Sequence, residues 1–122
     1  MTDIATDETV QLISSDKVEG TAVYNPNGDR LGTIANLMVD KLSGQVDYAV
    51  MSFGGFLGIG EDYYPLPWNK LTYKPSMGGY VVDLDKRVLD QAPRYSAADR
   101  PDWSDRRYTA RIDDYWTNIP PA

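Results

Sequence analysis

Short apolar runs cut by strong turn signals constrain this chain more than any other feature. Thr21-Ala22-Val23-Tyr24 runs into Asn25-Pro26-Asn27-Gly28. There the proline presets φ for the first turn position and the glycine accepts positive φ at the exit, a hairpin signal. Leu42-Ser43-Gly44-Gln45 and Pro75-Ser76-Met77-Gly78-Gly79 interrupt the chain in the same way. Segments this short, bounded this often, predict a mainly β domain.

The runs between the turns carry further detail. In the return strand Leu31 to Asp40, Ile34 and then Leu37 and Val39 break strict alternation. A bulge near Ala35-Asn36 restores the inward face and helps the sheet curl. Val46 to Phe53 is apolar on both sides, with Val46, Tyr48 and Val50 on one face and Ala49, Met51 and Phe53 on the other, so it reads as a central strand. Tyr63-Tyr64-Pro65-Leu66-Pro67 carries two prolines, which confine a strand to an edge or end it. Trp68-Asn69-Lys70 predicts a tight turn before Leu71-Thr72-Tyr73, and Tyr80, Val82 and Leu84 share one face of the strand that follows. Five or six short, curled strands suggest a small β-barrel rather than a sandwich. Asp85 predicts the cap of a short helix through Gln91, stopped by Pro93.

We divide the chain into a polar, flexible N-terminus at 1–9, a barrel at 10–93 and a C-terminal extension at 94–122. Within the extension Ser104 reads as an N-cap, and Trp103 with Tyr108 as a hydrophobic staple. Tyr108, Ile112, Tyr115 and Trp116 then share one face of an amphipathic helix over about 104–116. Burying such side chains is worth about 1.5–3 kcal/mol each, so the helix is expected to dock on the barrel or on a second subunit.

Composition excludes several functions. With 122 residues the chain has room for one modest core. A net charge of −6 argues against a nucleic-acid surface, which needs clustered Lys and Arg, and against anionic membranes. The basic pairs Lys86-Arg87 and Arg106-Arg107 each have acids beside them. Cysteine and histidine are both absent, which removes disulfides, thiolate nucleophiles, the usual zinc sites and Ser-His-Asp or Cys-His catalysis. The acidic N-terminus has no apolar core of a signal peptide, and no run approaches a membrane span. A soluble cytoplasmic protein is expected.

Several motifs invite chemistry. Gly54-Gly55-Phe56-Leu57-Gly58-Ile59-Gly60 looks like a phosphate cradle, yet its G-x-x-G-x-G order reverses the dinucleotide fingerprint and no Lys-Ser/Thr follows. Its default role is a tight loop; the alternative is protein contact through Phe56, Leu57 and Ile59. Asn25-Pro26-Asn27-Gly28-Asp29 begins like a calcium loop but has glycine at the fourth position and Asn36 at the twelfth, so it reads as a turn. Neither Glu61-Asp62 nor Asp83 with Asp85 forms a facing carboxylate pair. Asp113-Asp114, near the end of the last helix, is a solvated face by default and a contact to a basic partner otherwise.

Taken together, Gly28-Asp29-Arg30-Leu31-Gly32-Thr33-Ile34, the stretch Asp40 to Gly44, Tyr48-Ala49-Val50, the glycine loop and Pro67-Trp68 resemble the PRC-barrel family. The resemblance covers about residues 12–92, and the glycine loop followed by Pro-Trp is its specific part. That family takes its name from the cytoplasmic domain of the photosynthetic reaction centre H subunit and includes the C-terminal domain of a ribosome maturation factor. The chain looks most like the stand-alone bacterial members. The resemblance implies a compact barrel that binds other proteins, often as a homo-oligomer, without known catalysis.

The expected function is therefore a non-enzymatic interaction or assembly module, acting as a homodimer on a protein partner. No cofactor, metal, nucleic acid or membrane insertion is expected. Candidate contact residues are Phe56, Leu57, Ile59, Trp68, Tyr108, Ile112 and Trp116. The alternative is a small-molecule or ion-binding barrel linked to photosynthetic electron or proton transfer, with surface carboxylates as a proton path; it requires a pocket with convergent polar groups.

Overall fold

The computed structural model describes residues 11–53 and 61–119. Its elements are α1 (Ser15–Val18), β1 (Ala22–Tyr24), β2 (Arg30–Val39), β3 (Val46–Phe53), β4 (Asp62–Pro67), β5 (Leu71–Lys74), β6 (Gly79–Val82), β7 (Tyr95–Ser96) and α2 (Arg106–Thr117). Three short 3₁₀ turns, Trp68–Lys70, Pro75–Met77 and Lys86–Gln91, complete them. The glycine loop with Phe56, Leu57 and Ile59 lies outside the described residues.

The domain is mainly β, as expected, with seven strands in place of five or six. They form one sheet in the order β5-β6-β1-β2-β3-β4-β7, and no ladder joins β5 to β7 among the described residues. β1 to β4 make an antiparallel meander, the β5–β6 hairpin returns beside β1 in parallel, and β7 adds two residues to β4. The extra strand is Tyr95–Ser96, too short to leave a periodic trace in the sequence.

Turn chemistry sets the register. Gly28 has φ +89°, and its N–H donates to the Asn25 carbonyl at 3.0 Å. Asn25 is buried because its side chain serves the turn: Oδ1 accepts from the backbone of Asn27 and Asp29, and Nδ2 donates to Asp29 Oδ2 at 3.1 Å. The Asn25 side chain is thus spent on the turn itself. The β2–β3 pairing slips between Ile34 and Asn36, which is the bulge the broken alternation predicts. β3 has a ladder on each side and both its faces are buried, Ala49 and Met51 on one and Val50 on the other.

Proline placement follows the ladder. Among the described residues β7 pairs only with Asp62 and Tyr63, so Pro65 and Pro67 occupy the part of β4 with no described strand beyond it, where a missing N–H costs least. Gly79 is demanded by proximity: a Cβ there would collide with the Ala22 carbonyl oxygen across the parallel β1–β6 pair.

One core gathers Val23, Leu31, Ile34, Ala49, Met51, Tyr64, Leu66, Tyr80 and Val82 from the sheet, Leu84, Leu89 and Ala92 from the segment between β6 and β7, and Ile112 and Trp116 from α2. The same capping device starts the 3₁₀ turn Lys86–Gln91 and α2. Asp85 accepts from the Arg87 N–H and grips its guanidinium through both carboxylate oxygens, and Asp105 does the same with Arg107. The cap of α2 is thus Asp105, one residue beyond the expected Ser104, whose hydroxyl instead donates to Asp102. Arginine two residues on gives the aspartate a second, charged bond that serine cannot make. The helix accordingly runs 106–117.

Candidate functional site

Three elements converge beside Trp68. The turn into β3 brings Gln45, and the strand's start brings Asp47 and Tyr48; the 3₁₀ turn after β4 brings Trp68, Asn69 and Lys70; the last turns of α2 bring Asp113 and Thr117. Between them lies an open groove of about 680 Å³. Its lining combines two aromatic rings, two carboxylates, one ammonium and two side-chain amides.

Alternation along β3 explains part of this placement. Ala49 and Met51 point into the core, so Tyr48, one residue before Ala49, points to the other side of the strand. There the Tyr48 hydroxyl donates to Asp113 Oδ1 at 2.9 Å. Burial first, and the adjacent Asp113 second, push the Tyr48 phenol far above its ordinary range, so it stays a donor. Trp103 meets Tyr48 at 5.7 Å, Tyr108 edge-on at 5.4 Å and Tyr95 edge-on at 6.4 Å, and Tyr95 stacks on Tyr63 at 5.5 Å. Each such pair adds to its area burial through ring geometry. This aromatic layer seats the C-terminal extension against the sheet.

The expected contact residues are scattered. Trp68 is half-buried in the groove wall, with its ring 5.5 Å from Tyr80. Tyr108 is half-buried between Trp103 and the Arg111 guanidinium, its hydroxyl sheltered without an acceptor and its phenol pushed up to about 12, chiefly by burial. Ile112 and Trp116 are wholly inside the core of their own chain, leaving no surface of theirs for a partner. The expected Trp103–Tyr108 contact is made, although the shifted cap moves both off the staple positions.

Sequence reasoning did not bring Gln45, Asp47, Tyr48, Asn69 or Lys70 to the site. A polar residue at a turn carries no mark of which distant helix it faces. Of the groove residues the sequence points to Trp68, as a contact residue, and to Asp113, by its poor fit to the helix dipole. Among the described residues no three acidic side chains gather closely enough to hold a metal ion.

The family model for the PRC-barrel domain matches residues 11–89. The chain belongs to the PRC-barrel domain family. It is also 27% identical over 78 residues to an uncharacterized protein of Deinococcus radiodurans. That match covers 64% of this chain and 27% of the longer relative. No helix among the described residues is long and apolar enough to cross a membrane.

Proposed function

We propose that this chain is a non-enzymatic interaction and assembly module that works in the cytoplasm as a homodimer and engages a further protein. The groove beside Trp68 carries the reading. It offers aromatic faces and uncommitted polar groups on one open surface, the mixture that protein contacts use. Self-association is supported by β5, which ends the sheet, pairs only with β6 among the described residues and leaves Tyr73 exposed. Affinity purification from the native cell tests it, comparing the intact chain with Trp68→Ala and with Phe56→Ala/Leu57→Ala. At least one variant is expected to lose a retained protein. An identical set on all three would overturn a role for both surfaces.

A ligand-binding barrel linked to photosynthetic electron or proton transfer is the second reading. The observation favouring it is the convergence of Gln45, Asp47, Asn69, Lys70 and Asp113 on the groove. A thermal-shift screen with quinones, nucleotides and divalent ions tests it, and stabilisation by one of them that Asp113→Asn abolishes would favour it over the first.

A further inference from the structure

The charges of α2 run against the helix itself. Arg106 and Arg107 stand at its N-terminal end, where the macrodipole favours acids, and Asp113 and Asp114 stand toward its C-terminal end, where it favours bases. Arg107 and Arg111 add like charges four residues apart. Arg106, Asp113 and Asp114 take part in none of the ion pairs among the described residues. Placement on the helix surface gives this pattern a symmetry. Arg106 and Asp113 are seven residues apart, as are Arg107 and Asp114, close to two full turns. Each couple therefore lies along one line of the helix, and Ala110 stands between the two lines. All five residues are exposed, while Ile112 and Trp116 hold the opposite face in the core.

A second α2 laid antiparallel across this face, about a two-fold axis at Ala110, sets Arg106 against Asp113 and Arg107 against Asp114, and symmetry makes each contact twice. Ala110 meets its own copy at the centre, where a small side chain lets two helices approach closely. We propose, resting on the homodimer reading above, that the occupant of this face is a second copy of the chain, bound through antiparallel α2 helices. A net charge of −6 sets two copies against each other. The outer face of α2 escapes that repulsion, because Arg106, Arg107 and Arg111 offset Asp113 and Asp114. Tyr48 holds Asp113 in position through its 2.9 Å bond. A single exposed ion pair contributes little, but a set repeated in fixed register selects the partner and its orientation. The helix also adjoins the open edge of the sheet, since Lys70, which precedes β5, lines one cavity with Trp116 and Ile119.

Sedimentation equilibrium of the full chain beside Arg107→Asp, Asp114→Arg and an equal mixture of those two variants tests this. Each variant alone sets like charges together twice, so its dimer is expected to be about tenfold weaker or worse. In the mixture every contact again joins opposite charges, and affinity is expected to return to within about threefold of the intact chain. Both reversals agree with the helix dipole, and the Arg107 N–H that Asp105 accepts is backbone, so the helix is expected to stand. Circular dichroism checks that. Should either variant fail to fold, Ala110→Glu, exposed in the single chain and opposed to itself in the dimer, must weaken association by about the same factor. Variants that associate like the intact chain, or a mixture no tighter than its components, would overturn the proposal. A dimer that Tyr73→Asp breaks and the α2 reversals leave unmoved would remove the helix contact and keep the homodimer reading. A monomer at every concentration would remove both.

Discussion

Tyr48 and Asp113, 65 residues apart in the chain, are joined by a 2.9 Å hydrogen bond from the phenol to the carboxylate. It ties the start of the central strand to the C-terminal helix and fixes one wall of the groove. Replacing Tyr48 with Phe keeps the ring against Trp103 and removes only that bond. The expected loss is about 0.5–1.5 kcal/mol, a fall in Tm of about 4 °C per kcal/mol for a chain of this size. Calorimetry of the two proteins checks it; an unchanged Tm would mean that the bond does not stabilise the junction.

Trp116→Ala should be among the most damaging substitutions, at about 3–5 kcal/mol, with Ile112→Ala at about 2–5 kcal/mol. Both residues are fully buried in the core that the sheet builds. Urea unfolding monitored by circular dichroism measures the cost. A loss under about 1 kcal/mol for Trp116→Ala would contradict a helix that belongs to the fold.

Gly79→Ala should cost about 1–3 kcal/mol by forcing β1 and β6 apart. The atom in its way is the Ala22 carbonyl oxygen, which belongs to the backbone and cannot swing aside. The urea midpoint should fall with an unchanged slope.

Stability should fall at both ends of the pH scale. Burial raises the phenols of Tyr48, Tyr64, Tyr95, Tyr108 and Tyr115. A folded value above the unfolded one gives stability that is complete below about pH 10 and is lost as pH rises toward the folded values; for Tyr108 that value is about 12. At the other end, bonds from Arg87 hold Asp85 down to about 2, and those from Arg107 lower Asp105. A folded value below the unfolded one gives stability that is present above the ordinary aspartate range near 3.8 and is lost as pH falls. Urea midpoints measured across pH should show a plateau between these limits, and a steady slope through neutrality would contradict it.

Much of the sheet was legible because its signals are local. Asn25 to Gly28 and Pro75 to Gly79 are turns by their own backbone preferences, and the bulge at Ala35 shows in the spacing of Ile34 and Leu37. Asp85 announced its cap for the same reason. What stayed hidden depends on pairs far apart in sequence. Nothing near Tyr48 says that Asp113 will meet it, and two residues at Tyr95 become a strand only because Tyr63 offers an edge. Asp105 displaced Ser104 as a cap through its bond to Arg107, a competition between neighbours that residue preference alone ranks as nearly even.

Sedimentation equilibrium of the full chain, from low to high micromolar concentration, tests the assembly reading most directly. The expected result is a mass that climbs toward that of a dimer as concentration rises, with Tyr73→Asp on the open edge of β5 weakening the association. A monomer mass at every concentration, in the intact chain and the variant alike, would contradict it.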